Sequence, residues 1–244
     1  MYKSPSPLIK GVILDRYKRF LAKVIIPSED KLPMEIYVPN TGPMKTCWEP
    51  QWPVLLSKSD NPKRRLAFTL EATHNGICWI GVNTQRANKI VHHSLLSNHF
   101  NKSYIIKDET QIIPEWALKG SDSRFDFLLQ NKNLLPRVIE VKNTTWMIDP
   151  NSGTVSFPDT KSQRGAKHLK ELISLQLSKN YNCTMIYVVP RMDARVFSVE
   201  QSADLEYCQL LKQAIGVGIE IIVAKYEVSE MGIVFNSLLS LLCI

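Results

Sequence analysis

The sequence predicts a mixed α/β protein of α+β organisation, in which a small β-barrel precedes an α/β domain built on a mixed sheet. Residues 1–81 break into five or six short apolar or alternating runs separated by Pro, Gly and Asn turns. Residues 82–244 change rhythm to the order helix, three strands, helix, strand, helix, strand. A chain of 244 residues can bury one large core or two modest ones, so two such units fit.

In the first part the strand-like runs are Leu8–Leu14, Phe20–Ile26, Met34–Val38, Val54–Leu56, Ala67–Ala72 and Ile77–Ile80. Pro27, the 39–43 stretch, Pro50 and Pro62 lie between them, where a fixed φ and a missing amide hydrogen favour turns. Strands this short at this spacing suggest a small barrel, OB-like or of another small type such as SH3-like.

In the second part Gln85–Asn98 places Ala87, Ile90, Val91 and Leu95 at helical spacing. Tyr104–Ile106 and Thr110–Ile113 read as extended, and Arg124–Leu129 with Arg137–Lys142 reads as a hairpin about the polar 130–133 turn. Gln163–Lys179 carries an apolar stripe of Ala166, Leu169, Ile173 and Leu177, the mark of an amphipathic helix. Thr184–Val189 is a continuous apolar strand. Ser202–Ile215 is a helix stopped by Gly216 and Gly218, and Ile219–Tyr226 is a last strand.

The net charge of +7 favours an anionic partner, nucleic acid ahead of membrane. Five scattered cysteines, none in a C-x-x-C spacing, argue against a zinc site or a disulfide framework. The first twenty residues lack an apolar core followed by a cleavage site, and the apolar C-terminal SLLSLLCI is too short to span a bilayer. The expectation is a cytoplasmic protein without membrane association.

The hairpin holds the chemistry. Its charged residues follow a D-x13-E-x-K pattern: Asp126, Glu140 and Lys142. Side chains alternate across a strand, so Glu140 and Lys142 share a face, and pairing brings Asp126 level with Glu140 on that face. Two carboxylates and an ammonium there suit a divalent cation held against a phosphodiester. Cross-strand charge pairing on an exposed hairpin accounts for the same pattern.

Ordered blocks along nearly the whole chain resemble the sugar fermentation stimulation protein family. They are RYKRFLAKV, VPNTGPMKTC, SDNPKRRL, VNTQRANKI, SRFDFLL, EVKN, FPDTKSQRGAKHLKEL and GVGIEIIVAKYEV. The resemblance implies an OB-like DNA-binding domain over residues 1–81 and a PD-(D/E)xK restriction-endonuclease-like domain over 82–244. It implies DNA binding, double-stranded first and single-stranded second, with the oligomeric state open and a dimer among the options. By fold and site it implies a nuclease using Mg²⁺ or Mn²⁺; the alternative is a non-cutting regulator of sugar (maltose) metabolism genes. A protein-interaction module with a basic face is a third reading.

Carried over residue by residue, Asp126 and Glu140 are metal ligands, with the Val141 carbonyl a third, and Lys142 orients or deprotonates water. Arg164, Lys167 and His168 open the following helix as a phosphate clamp, with residues 164, 168 and 171 on the face opposite the apolar stripe. Arg124 and Asp159 either brace the site, Arg124 also as a phosphate contact, or form structural salt bridges. In the barrel Arg16, Arg19, Lys63, Arg64 and Arg65 supply phosphate contacts, beside Tyr17, Phe20, Trp48, Trp52 and Phe68, which either offer ring surface or, for most of them, fill the barrel core. Two departures weigh against cutting: His93 and Gln163 stand where family members carry Glu. Glu109 and Glu115 are candidates to replace the missing carboxylates, and His92 a further metal donor.

Overall fold

The computed structural model describes residues 1–3, 7–100, 109–118, 120 and 122–242. The expected extended run Tyr104–Ile106 and Cys243 lie outside them. The first five strands are β1 (Ile9–Tyr17), β2 (Leu21–Ile26), β3 (Asp30–Tyr37), β4 (Pro53–Lys58) and β5 (Phe68–His74). They run in the order β3-β2-β1-β4-β5, and a parallel bridge between Tyr37 and Thr69 joins β3 to β5 and closes the barrel. Closure removes the exposed strand edges, and alternation fills the inside. On β2, Ala22, Val24 and Ile26 are buried within the barrel while Lys23 is exposed. Gly11 is required where β1 meets β2, because a Cβ there would sit 2.7 Å from the Val24 side chain.

A short β6 (Trp79–Gly81) extends the barrel sheet from β5 and leads out of it. The Asn83 side chain then accepts from the Gln85 amide, starting a 3-10 turn that runs into α1 (Ala87–Leu96). There follow β7 (Gln111–Ala117), β8 (Arg124–Asn131), β9 (Leu134–Asn143), β10 (Trp146–Asp149) and β11 (Thr154–Ser156). Next come α2 (Gln163–Leu177), β12 (Asn182–Val189), β13 (Val196–Ser198) and α3 (Leu205–Gly216). The described chain closes with β14 (Glu220–Ser229), β15 (Gly232–Leu238) and β16 (Ser240–Leu241).

The main sheet runs β15-β14-β12-β9-β8-β7, parallel across β9, β12 and β14 and antiparallel at both flanks. It is a mixed sheet with helices on both faces. α1 packs Ile90, Val91 and Leu95 against Phe127, Ile139 and Val141 on one side. α2 and α3 pack Leu169, Leu172 and Leu211 against Phe125, Val138 and Met185 on the other. Central β12 is buried from Cys183 to Val189 because both its faces are covered. Pro114 lies within β7, an edge strand, where a missing donor is tolerated. A separate small sheet, β10-β11-β13-β16, lies beside the main one.

Two details differ from the sequence expectation. Leu177 is exposed rather than part of the α2 stripe, which instead uses Leu172 and takes in His168. Beyond β14, where the last strand was expected, the chain adds two further strands, β15 and β16. Barrel and sheet domain are joined along a polar and apolar seam. Gly81 N donates to Pro190 O, Met147 N donates to Thr46 Oγ1, and Tyr2 bridges to Ile233 of β15. Leu55 and Ala72 of the barrel pack on Val228 of β14. Among the described residues no helix is long and apolar enough to cross a membrane.

Candidate metal and nucleic-acid site at the strand fork

The β8–β9 ladder pairs Phe127 with Ile139, and no pair is formed beyond it. At the next step, where Asp126 and Glu140 would face each other, the strands part. Asp126 Oδ2 accepts from the Val141 amide at 2.6 Å, taking up a backbone donor on the neighbouring strand. Its other oxygen accepts from Asn88 Nδ2 of α1, also at 2.6 Å. Asp126 is therefore held by α1 and by the neighbouring strand, while Glu140 is held by α2. Ladder pairing does not bring Asp126 level with Glu140, but the charges of Glu140 and Lys142 both act on its carboxyl.

Glu140 is 3 % exposed. Its Oε1 accepts from Lys142 Nζ and from His168 Nδ1, the latter at 2.6 Å. Its Oε2 is buried and finds no hydrogen-bond partner among the described residues. Burial pushes the Glu140 carboxyl up, but the Lys142 ammonium and the His168 hydrogen bond outweigh it, and the pKa falls below the ordinary value. Asp126 goes the other way. Burial first, then the charge of Glu140, raise it to about 6 against the pull of Val141 N and Asn88. The fork thus contains one stabilised and one destabilised negative charge.

Three depressions surround it. A polar cleft of about 490 Å³ at the barrel junction includes Arg19, Asn88 and Lys142. A second of about 670 Å³, below α1, includes Asn88, His92, His93 and Asp126. A third of about 430 Å³ brings together Arg124, Arg164, Lys167 and His168, with Gln163 on its wall. Glu115 lines the last two.

The remaining candidates separate by what already holds them. Arg124, Arg164 and Lys167 are exposed. His168 is not on an open helix face: it is buried against Glu140 and makes a tilted ring contact with Phe125. Arg16 donates to the carbonyls of Arg19, Asn40, Gly42 and Pro43, so its guanidinium braces a loop. Arg64 lies over the Tyr37 ring and donates to Thr69. Arg65 is exposed with Glu35 at 3.7 Å, and Lys63 and Arg19 are exposed. Phe68 is buried in the barrel, Trp48 and Trp52 pack on its core, and Phe20 is exposed. Sequence reasoning missed Asn88, whose only signal was a polar residue bordering the apolar stripe of α1. Among the described residues no group of three or more His, Cys, Asp or Glu side chains could hold a metal. A cation here would depend on the two carboxylates, a backbone oxygen and water.

Comparison with known proteins follows the same division. Residues 14–82 match the SfsA N-terminal OB domain and residues 85–232 the sugar fermentation stimulation protein RE domain. A sugar fermentation stimulation protein homolog of Microcystis aeruginosa is 40 % identical over 96 % of this chain and 95 % of its own. One from Pseudoalteromonas atlantica is 34 % identical over 97 % of this chain and 98 % of its own. The structure of Pyrococcus furiosus SfsA in complex with Ca²⁺ superposes with a TM-score of 0.85 at 20 % identity, covering all of both chains. The chain belongs to the sugar fermentation stimulation protein family.

Proposed function

We propose that this member of the sugar fermentation stimulation protein family binds DNA and cleaves its phosphodiester backbone at the Asp126–Glu140–Lys142 fork, using Mg²⁺ or Mn²⁺. One observation carries the reading. Both donors to Glu140 grip the same oxygen, and the other, Oε2, is buried without a partner among the described residues. An unsatisfied buried carboxylate oxygen is costly, on the order of 1–3 kcal/mol or more, unless something positive completes it. Asp126, raised by burial and then by the Glu140 charge, is relieved by the same partner. The donor set fits a hard, oxygen-seeking cation, with Asp126, Glu140 and the Val141 carbonyl as ligands. The Pyrococcus furiosus protein of the same fold, solved in complex with Ca²⁺, carries a cation of that kind.

When bound, the cation polarises a phosphoryl oxygen and offsets the charge that develops on it. The chain's own groups do the rest. Lys142, held at Glu140, orients the attacking water and balances phosphate charge. His168 keeps Glu140 in one orientation from beneath. Arg124, Arg164 and Lys167 hold the strand by its phosphates.

The second reading is a DNA-binding regulator of sugar (maltose) metabolism genes that does not cut. His93 and Gln163 favour it, because each lines a depression beside the fork where a further carboxylate would strengthen cation binding. Supercoiled and single-stranded DNA, incubated with Mg²⁺ or Mn²⁺ beside Asp126→Ala and Lys142→Ala, decides between them. Nicking by the wild type that both variants lose supports cutting. Retarded migration without nicking selects the regulator.

A further inference from the structure

The cleft at the barrel junction contains groups that neither the fork nor the family resemblance uses. Thr144 follows the end of β9, and Ser156 ends β11; both are 1 % exposed and both line this cleft. Neither the Thr144 nor the Ser156 hydroxyl has a hydrogen-bond partner among the described residues. Two orphan hydroxyls in one place are unusual, since buried polar groups are nearly always paired. The same cleft is lined by Arg19 from the β1–β2 turn, Lys142 from β9 and Lys161 from the approach to α2. Asp159 is the one acidic side chain of the lining, so cations outnumber it three to one.

We propose that this cleft is a phosphate-binding subsite, with the Thr144 and Ser156 hydroxyls as its floor and Arg19, Lys142 and Lys161 as its rim. Hydroxyl donors and cationic donors in one cleft are the complement of a tetrahedral oxyanion. The phosphate belongs either to a DNA strand running past Lys142 from the fork to the barrel, or to a free nucleotide. The strand assignment rests on the DNA-binding reading above; phosphate recognition does not. Because Arg19 comes from the barrel and the other groups from the sheet domain, the subsite gives the barrel a direct place in strand binding.

The test uses the full chain with divalent cations chelated, so that binding is read without cleavage. Anisotropy titrations with labelled single-stranded and duplex DNA compare the wild type, Thr144→Val/Ser156→Ala and Lys161→Gln. The double variant is expected to bind about tenfold more weakly, the scale of losing hydrogen bonds to a charged group. Its melting temperature should hold or rise, because two unsatisfied hydroxyls are gone. Lys161→Gln should weaken binding and lower the slope of log K against log salt by about one. If the double variant melts early, Lys161→Gln, an exposed rim change, decides by itself.

Inorganic phosphate and deoxyadenosine monophosphate form the second arm. A rise in wild-type melting temperature that the double variant lacks, with DNA affinity unchanged in both variants, supports the subsite with a small phosphate ligand. Unchanged DNA affinity and salt slope in both variants, with no differential melting shift, overturns the proposal. Nicking assays on Asp126→Ala test the fork, whereas these cation-free titrations test the cleft, so either can fail alone.

Discussion

The barrel and the sheet domain both carry charge, and they treat it in opposite ways. In the barrel, the Arg16 guanidinium donates to four backbone carbonyls, and Arg64 is laid over Tyr37. At the junction, Arg86 is paired in two directions with buried Glu71. These charges support the fold. In the sheet domain, Arg124, Arg164 and Lys167 stand exposed around one depression, and the two fork carboxylates press on each other. The difference teaches that a count of basic residues does not locate a binding face. Availability does, and the price of availability is paid in stability.

The largest effect expected from this contrast lies at the fork. Asp126→Asn and Glu140→Gln should each lower any Mg²⁺- or Mn²⁺-dependent nicking of supercoiled DNA by about a thousandfold, within the range that metal-site charge stabilisation supplies. DNA retardation should survive in both. Wild-type nicking rates in either variant would remove the fork from the chemistry.

Stability should move the other way at the same residue. Asp126 has a folded pKa of about 6, raised from its ordinary value. A raised carboxylate contributes stability that is fully present below pH 4 and lost as pH climbs through 6. Two pKa units correspond to about 3 kcal/mol. In cation-free buffer, Asp126→Asn should therefore be more stable than wild type at pH 7, with the advantage shrinking toward pH 4. Glu140, whose pKa is lowered, has the opposite sign: its contribution is present at neutral pH and fades as pH falls through the folded pKa. Urea midpoints across pH 4–8 read both. No stability gain in Asp126→Asn at pH 7 would break the contrast between domains.

Much of this was legible in the sequence, and the gaps have physical causes. The hairpin and the Glu140–Lys142 face followed from period-two alternation. The placement of Asp126 did not, because alternation assumes that pairing continues, and the ladder stops at Phe127 and Ile139. His168 sits four residues after Arg164, which put it on a solvent face on paper. In α2 the buried arc is wider than one stripe, running through Gly165, Ala166, His168, Leu169 and Leu172. The barrel strands were marked by their turns, but closure rests on one parallel bridge that no local pattern announces. Strands of three or four residues, β10, β11 and β13, are shorter than the window in which periodicity has meaning.

Arg16 offers a sharper cut through the barrel. Arg16→Met keeps the aliphatic stem and leaves four carbonyls without their donor, so a loss of about 2 kcal/mol in unfolding free energy is expected. The salt dependence of DNA binding should stay the same. If the slope falls while stability holds, Arg16 meets phosphate rather than the loop, and the barrel's charge has been misread here.

The smallest effect bears most directly on which face meets DNA. Charge removal at exposed positions costs little folding energy, so it reads binding alone. Arg164→Gln/Lys167→Gln removes two exposed cations from the depression beside buried His168 and Glu140. Counterion release then predicts a salt slope lower by nearly two and an affinity about tenfold weaker at moderate salt. Lys63→Gln/Arg65→Gln removes the same formal charge from the β4–β5 turn of the barrel, where Arg65 is 89 % exposed beside Glu35. Long-range attraction there is screened beyond about 10 Å, so a change of less than about threefold is expected. Equal effects from the two pairs would mean that the duplex spans the barrel turn as well as α2, and that formal charge, not local availability, governs where DNA lies.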